Sequence, residues 1–288
     1  MRKCEDRLRF KEGVPNEEIL CPLCENKQYK LLYQFPSFSM VKCTKCGFCY
    51  QNPRVTEAVM TEHYQKPHAY RHNFDPEQYS NKHYLEYRDT FEYVSKFVGH
   101  PGKMLEIGCS NGMLLYWAKK QGWDVAGVEI AKDLAQAQRE RLGIDIRGGI
   151  LEDSGFDASI FDLVITRHVL EHVFDLNSFV KEVNRGLKKG GMFYIEAPNL
   201  NGVEYRYRDL RAKFSLGKPS WVKMNLPQHL YCFTPDTLKA ILKKWNFEPL
   251  RWTTYSHRKH RSNVTYQIMR LRHFFMQGTK MRLIAKKM

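Results

Sequence analysis

Two Cys-x-x-Cys pairs, Cys21-Pro22-Leu23-Cys24 and Cys43-Thr44-Lys45-Cys46, lie 18 residues apart near the start of the chain. Each pair sets two thiolates on one tight turn, and the four together predict a tetrahedral Zn(Cys)₄ site. Four protein ligands leave no open coordination position, so the Zn²⁺ is expected to be structural. Cys49 sits off this spacing, and with Cys4, Cys109 and Cys232 it reads as an ordinary reduced thiol.

A second group begins at Leu105-Glu106-Ile107-Gly108-Cys109-Ser110-Asn111-Gly112, an apolar strand running into a glycine-rich turn. Glycines there let the backbone turn sharply and approach a ligand closely. The spacing is neither Gly-x-Gly-x-x-Gly nor a phosphate loop ending in Gly-Lys-Ser/Thr. The next strand, Val125-Ala126-Gly127-Val128, ends in Glu129 and Ile130. A carboxylate at that point can accept from both hydroxyls of a ribose. Leu151-Glu152-Asp153, after the third strand, would border the base of the same nucleoside.

Two histidines are candidates for proton transfer. His168 follows the strand Phe161–Thr166 at its carboxyl edge, where it can serve as base, as binding residue or as a plain loop histidine. His229 lies in Pro227-Gln228-His229-Leu230-Tyr231-Cys232-Phe233, which reads equally as a packed connector. His168-x-x-Glu171-His172 also matches the inverted zinc-protease signature, but that chemistry needs both histidines on one helix. With a strand ending at 166 the match is accidental, and Glu171 and His172 are read as tying down the helix that follows.

The elements that must hold these groups alternate. Strands are predicted at Met104–Ile107, Asp124–Val128, Ile144–Arg147, Phe161–Thr166, Met192–Glu196 and Phe247–Tyr255. Helices are predicted at Met113–Gln121, Lys132–Leu142, Asn177–Leu187 and Pro235–Trp245. Lys188-Lys189-Gly190-Gly191 reads as a basic helix end and a glycine turn. This is the pattern of an α/β, Rossmann-like fold with helices on both faces of a mostly parallel sheet. Around it lie a polar arm (1–19), the cysteine module (20–52) and a linker with capping helices at Thr56–Tyr64 and Tyr84–Val98 (53–100). The α/β domain spans 101–256 and a basic tail or helix 257–288. Asn199–Asn225 is a basic, aromatic insertion.

The chain has 288 residues and a formal charge of +15, with 46 Lys and Arg against 31 Asp and Glu. Ten of the basic residues and no acidic ones fall after position 250. Such a tail favours anionic partners, and Val264, Ile268, Leu271 and Phe275 share one helix face. Peripheral contact with an anionic membrane is one expectation, and a solvated or docked basic helix is the other. No run reaches the length of a membrane span and no apolar h-region follows Met1, so a cytoplasmic chain is expected, with room for contact at the inner membrane face.

Taken together, the cysteine module, Gly47–Pro53, Leu105–Gly112, Gly127-Val128-Glu129, Phe161–Val173, Leu187–Asn199 and His229–Phe247 resemble the class I S-adenosylmethionine (SAM)-dependent methyltransferases. The similarity is to their bacterial branch with an N-terminal zinc ribbon, related to ubiquinone-type O-methyltransferases. The resemblance implies a seven-stranded sheet whose final strand is antiparallel to the rest. It further implies that the Glu106–Gly112 loop (Glu106, Gly108, Cys109, Ser110, Gly112) holds the methionine part of SAM. Glu129 and Ile130 would then hold the ribose, Leu151 and Glu152 would lie at the adenine, and the His229 segment would cover the acceptor. Many relatives carry Gly where this chain has Ser110. The implied activity is O-methylation of a sugar hydroxyl on a nucleotide sugar or lipid-linked glycan, in surface polysaccharide biosynthesis. An RNA methyltransferase is the alternative, although no RNA-binding module is recognisable, and a non-catalytic SAM-binding protein is a third. The sequence leaves the oligomeric state unassigned.

Overall fold

The computed structural model describes residues 11–65, 82–216, 224–255 and 278–288. In chain order the elements begin with short strands β1 (Asn16–Glu17), β2 (Tyr29–Gln34), β3 (Ser39–Cys43), β4 (Cys49–Gln51) and β5 (Arg54–Val55). Helices α1 (Glu57–Gln65) and α2 (Lys82–Val98) follow. The α/β region then runs β6 (Lys103–Ile107), α3 (Met113–Lys120), β7 (Asp124–Glu129), α4 (Lys132–Leu142), β8 (Asp145–Gly148), β9 (Phe161–Arg167), α5 (Leu176–Gly186) and β10 (Leu187–Pro198). It closes with α6 (Val203–Lys213), β11 (Tyr231–Cys232), α7 (Pro235–Lys244), β12 (Phe247–Tyr255) and β13 (Lys280–Lys287).

Seven strands form one sheet in the order β12-β13-β10-β9-β6-β7-β8. β13 pairs antiparallel with both β10 and β12, while the pairs among β10, β9, β6, β7 and β8 are parallel. The expected Rossmann-like methyltransferase sheet is thus present, with its final strand reversed. β9 shows why the sheet is covered twice: Val164 joins the core on one face, and Leu163 and Ile165 join the core on the other. Alternating side chains buried on both sides are what a parallel sheet between helix layers requires. The order changes direction between β6 and β9, which opens a crevice beyond their carboxyl ends.

Local chemistry sets the boundaries. The Asp175 side chain accepts from the backbone N–H of Asn177 and Ser178, so α5 starts at Leu176. Thr234 and Thr237 form a reciprocal cap for α7, with Pro235 in its first turn. The predicted helix end and turn at Lys188–Gly191 is instead an irregular stretch inside β10, with the register shifting between Leu187 and Met192. Helix α5 stops one residue earlier, because Leu187 is already extended and pairs with Phe161.

Two larger corrections concern the ends. Lys280–Lys287, assigned from sequence to the basic tail, is a central strand: Met281, Leu283, Ile284 and Ala285 are buried between β10 and β12. Its lysines and arginine disguise an apolar strand. The helical stripe at Val264–Phe275 lies outside the described residues. Within the arm, Asn16 and Glu17 are not loose but pair with Val55 and Arg54. No helix among the described residues is long and apolar enough to cross a membrane.

The cysteine module is not self-contained. Its sheet runs β11-β4-β3-β2, so its edge is completed by a strand that the chain supplies between β10 and β12. Phe48 is fully buried and stacks on Tyr231 at 5.8 Å and against Phe233 at 5.5 Å. Burying such a ring contributes about 1.5–3 kcal/mol.

Candidate active site

A cavity of about 900 Å³ opens at the carboxyl ends of β6, β7 and β9. Glu106, Gly108, Cys109, Ser110, Glu129 and Ile130 line one flank, and Leu151 and Glu152 the next. Gly108 adopts φ +71, and a Cβ there would collide with Val169. Gly112 does not line the cavity. Its left-handed backbone (φ +72) starts α3, and a Cβ would lie 2.5 Å from Leu142 Cδ1, so its part is in packing the turn. Ser110 takes φ +49, a conformation that favours glycine.

Two acidic groups dominate this flank. Glu129 is buried, its Oε2 accepts from Ser110 N at 2.9 Å and its Oε1 from Ala131 N at 3.1 Å. Each oxygen keeps a further lone pair for a hydroxyl donor. Glu106 is also buried, with the backbone N–H of Leu115 close enough to favour its charged form. Its Oε2 has no hydrogen-bond partner among the described residues. Desolvation pushes Glu106 up to about 8, with Arg167 opposing and Glu129 reinforcing. A buried carboxylate oxygen without a donor, beside a ribose-type carboxylate and a glycine turn, fits a nucleoside ligand that carries an amino group.

The opposite flank comes from the ends of β9 and β13. Arg167 lies 4.4 Å over the Tyr87 ring and pairs with buried Glu196 at 2.8 Å. Desolvation acts to raise Glu196, but the Arg167 charge and the hydrogen bond from Tyr194 hold it down at about 2. His168 follows in a left-handed turn (φ +56), outside any helix, so the protease geometry is absent. Its Nδ1 lies 3.3 Å from Glu171 Oε1 and its Nε2 lies 2.9 Å from Lys280 Nζ. Since the ammonium can only donate, Nε2 accepts and Nδ1 carries the proton shared with Glu171. Glu171 is fully buried; desolvation is outweighed by His168, His172 and His229, which hold it near 2.

His229 is placed differently from expectation. It does not line the cavity, and its ring meets His172 edge-on at 4.8 Å. His172, which does line the cavity, has Nδ1 3.0 Å from both the Tyr64 hydroxyl and the Gln228 carbonyl. Burial, with the nearby His172, lowers His229 to about 3, so it is neutral. Donor atoms of Glu171, His172 and His229 lie within 4.8 Å of one another, and Glu171 and His172 are tied internally to His168, Tyr64 and Gln228.

Arg167 and Lys280 were not legible as site residues. A lone arginine after a strand carries no signal, and Lys280 lies 112 positions from His168. Only the alternation Met281, Leu283, Ala285 marks its strand.

The four knuckle cysteines converge on one point. Cys21 Sγ lies 3.5 Å from Cys46 Sγ and Cys24 Sγ 3.6 Å from Cys43 Sγ, all four within 4.8 Å. Sulfurs bound to one tetrahedral zinc at about 2.3 Å stand about 3.8 Å apart, so the set fits that ion. Desolvation of Cys43 is outweighed by the backbone N–H groups of Cys46 and Lys45 and the Asn26 amide, lowering its thiol to about 6. The cysteine module is also tied to segments beside the cavity: Asn177 Nδ2 on α5 donates to Pro22 O at 2.8 Å, and Gln51 Nε2 on β4 donates to Pro227 O and His229 O at 2.8 and 2.9 Å.

A family model described as a methyltransferase domain matches residues 77–251. The chain is 28% identical over 147 residues to a ubiquinone biosynthesis O-methyltransferase of Bartonella tribocorum, covering 49% of this chain and 58% of that one. Against the protein of the same name from Pelagibacter ubique it is 30% identical over 138 residues, covering 44% and 57%. The chain therefore spans little more than half the length of these relatives. The fold is also similar to a crystal structure of a SAM-dependent methyltransferase from Archaeoglobus fulgidus, with TM-score 0.53 and 19% identity over 73% of this chain and 97% of that one.

Proposed function

The chain belongs to the methyltransferase-domain family and has the class I SAM-dependent methyltransferase fold, and from this premise we propose that it methylates a hydroxyl of a small acceptor. SAM supplies, when bound, a methyl group on a cationic sulfonium. Glu106 would accept from its amino group, the Gly108–Ser110 turn would hold its methionine part, Glu129 its ribose, and Leu151 and Glu152 its adenine. The observation that carries the reading is the shared cavity: the Glu106–Glu129 flank and His168, which Glu171 holds from behind, face the same space. Glu171 orients the imidazole, and Nε2 can take the hydroxyl proton. Arg167, fixed by Glu196, keeps positive charge at the mouth of β9.

The relatives' names favour a phenolic acceptor, and Tyr64, Val173 and Phe174 offer it an apolar wall. A sugar hydroxyl is the second reading, favoured by the polar Glu57 and Thr61 on the same wall. His229 then acts through His172 rather than by touching the acceptor. Structural Zn²⁺ on Cys21, Cys24, Cys43 and Cys46 completes the proposal, supported by the sulfur spacing. The test is transfer of label from SAM to dihydroxylated phenols, nucleotide sugars, lipid-linked glycan extract and ribosomal RNA in parallel. Label in a small hydroxylated acceptor supports the reading; label confined to RNA overturns it.

A further inference from the structure

Lys280 reaches the cavity from a strand no local pattern connects with catalysis. It is half-buried at the amino end of β13, where it lines the cavity and sets its Nζ 2.9 Å from His168 Nε2. The register fixes it there: Lys280 faces Pro198 on β10 and Tyr255 on β12, so the strand holds the amine from both sides. His168 is fixed independently by its left-handed turn and by its backbone N–H, which donates to Glu196 O at 2.8 Å. Two rigid elements therefore aim a cation at the one imidazole nitrogen that can act as base.

We propose that Lys280 is the positioning partner of His168, keeping the imidazole lone pair on Nε2 and holding a hydrogen-bond donor beside it for the acceptor oxygen. The inference rests on the oxygen-acceptor reading above and deepens it. An acceptor hydroxyl that displaces Nζ from Nε2 donates its hydrogen to Nε2 and accepts in turn from Nζ. As the oxygen becomes a nucleophile its O–H bond breaks and an Nε2–H bond forms. The imidazolium is then balanced by Glu171 on its other nitrogen, and negative charge developing on oxygen faces the ammonium. An acceptor atom lacking either a transferable proton or a lone pair cannot satisfy both groups.

The charges around His168 come from several elements. Glu171 and His172 follow it in the chain, His229 precedes β11, Arg167 ends β9 and Glu196 lies on β10. Glu86 of α2 adds a further carboxylate near Lys280. Among them Lys280 is the cation in direct hydrogen-bond contact with the imidazole, so its removal acts on His168 first.

The test follows the ring nitrogens of His168 by NMR in ¹⁵N-histidine-labelled full-length chain, with the signals assigned by loss in His168→Gln. A like charge in contact shifts a titration by about one unit or more. In Lys280→Met and Lys280→Gln the His168 midpoint should rise by about one unit, while Lys280→Arg keeps it near wild type. Calorimetric titration with SAM is run on the same samples. An unchanged midpoint in a well-folded neutral variant overturns the role of Lys280 and leaves the cofactor reading intact. Failure of the wild-type chain to bind SAM overturns the reading beneath it instead. If Lys280→Met does not fold, Lys280→Gln, which keeps length and polarity, gives the same discrimination.

Discussion

The backbone N–H of Ser110 donates to Glu129 Oε2 at 2.9 Å, tying the glycine turn after β6 to the carboxylate that ends β7. One carboxylate thus both shapes the turn and faces the ligand. Glu129→Gln puts an amide –NH₂ opposite one of the two backbone N–H groups that need acceptors. SAM affinity should fall about tenfold or more, in line with the roughly 1.5–3 kcal/mol of hydrogen bonds to a charged group. Calorimetry giving wild-type affinity would count against Glu129 as the ribose ligand.

Glu106 makes stability depend on pH in an unusual direction. Its ordinary value of 4.5 is raised by burial to about 8, so between these values the folded chain holds a proton that the unfolded chain has released. That contribution is present below pH 4.5 and is lost as pH rises through about 8. In Glu106→Gln it is absent. The melting temperature of the variant relative to wild type, without ligand, should therefore climb from acid to mildly alkaline pH. A difference independent of pH would show that Glu106 titrates normally.

The cysteine module should carry metal and support the site. Metal analysis is expected to find about one zinc per chain, and Cys43→Ser should lose most of it, since a structural site needs all four ligands. Because Pro22 and Gln51 hold Asn177 and the Pro227–His229 backbone, loss of metal should also lower methyl transfer. Full activity in a metal-free chain would separate the module from catalysis.

β13 distinguishes a core strand from a tail. Leu283 is buried between Ile195 and Trp252. Leu283→Ala should destabilise the chain by about 2–5 kcal/mol, as expected for a cavity in a packed core. Denaturant unfolding showing a change within about 0.5 kcal/mol, typical of a surface position, would contradict the sheet assignment.

What the sequence disclosed followed from periodicity and spacing. Strands β6, β7 and β9 alternate or run apolar within a few residues, and Glu106, Gly108 and Glu129 stand at their ends, so local reading finds both. The cysteine spacing is equally local. Lys280 and Arg167 depend on strand order and long-range register, which no window of sequence contains. β13 was hidden because its basic residues mask its apolar ones, and because a long basic stretch precedes it. His229 was misplaced for a related reason. Its proximity to the acceptor depended on which way the loop before β11 turns its ring, and the structure turns it onto His172.

The pairing of β4 with β11 also orders events during synthesis. Gln51 leaves the ribosome 176 residues before Pro227, the backbone it must hold. Until Tyr231 and Cys232 emerge, β4 presents an unpaired edge, the kind of surface that recruits foreign strands. The sheet of the cysteine module, begun early in the chain, is therefore among the last to be completed. Slow translation through the α/β domain prolongs the interval in which that edge stands open.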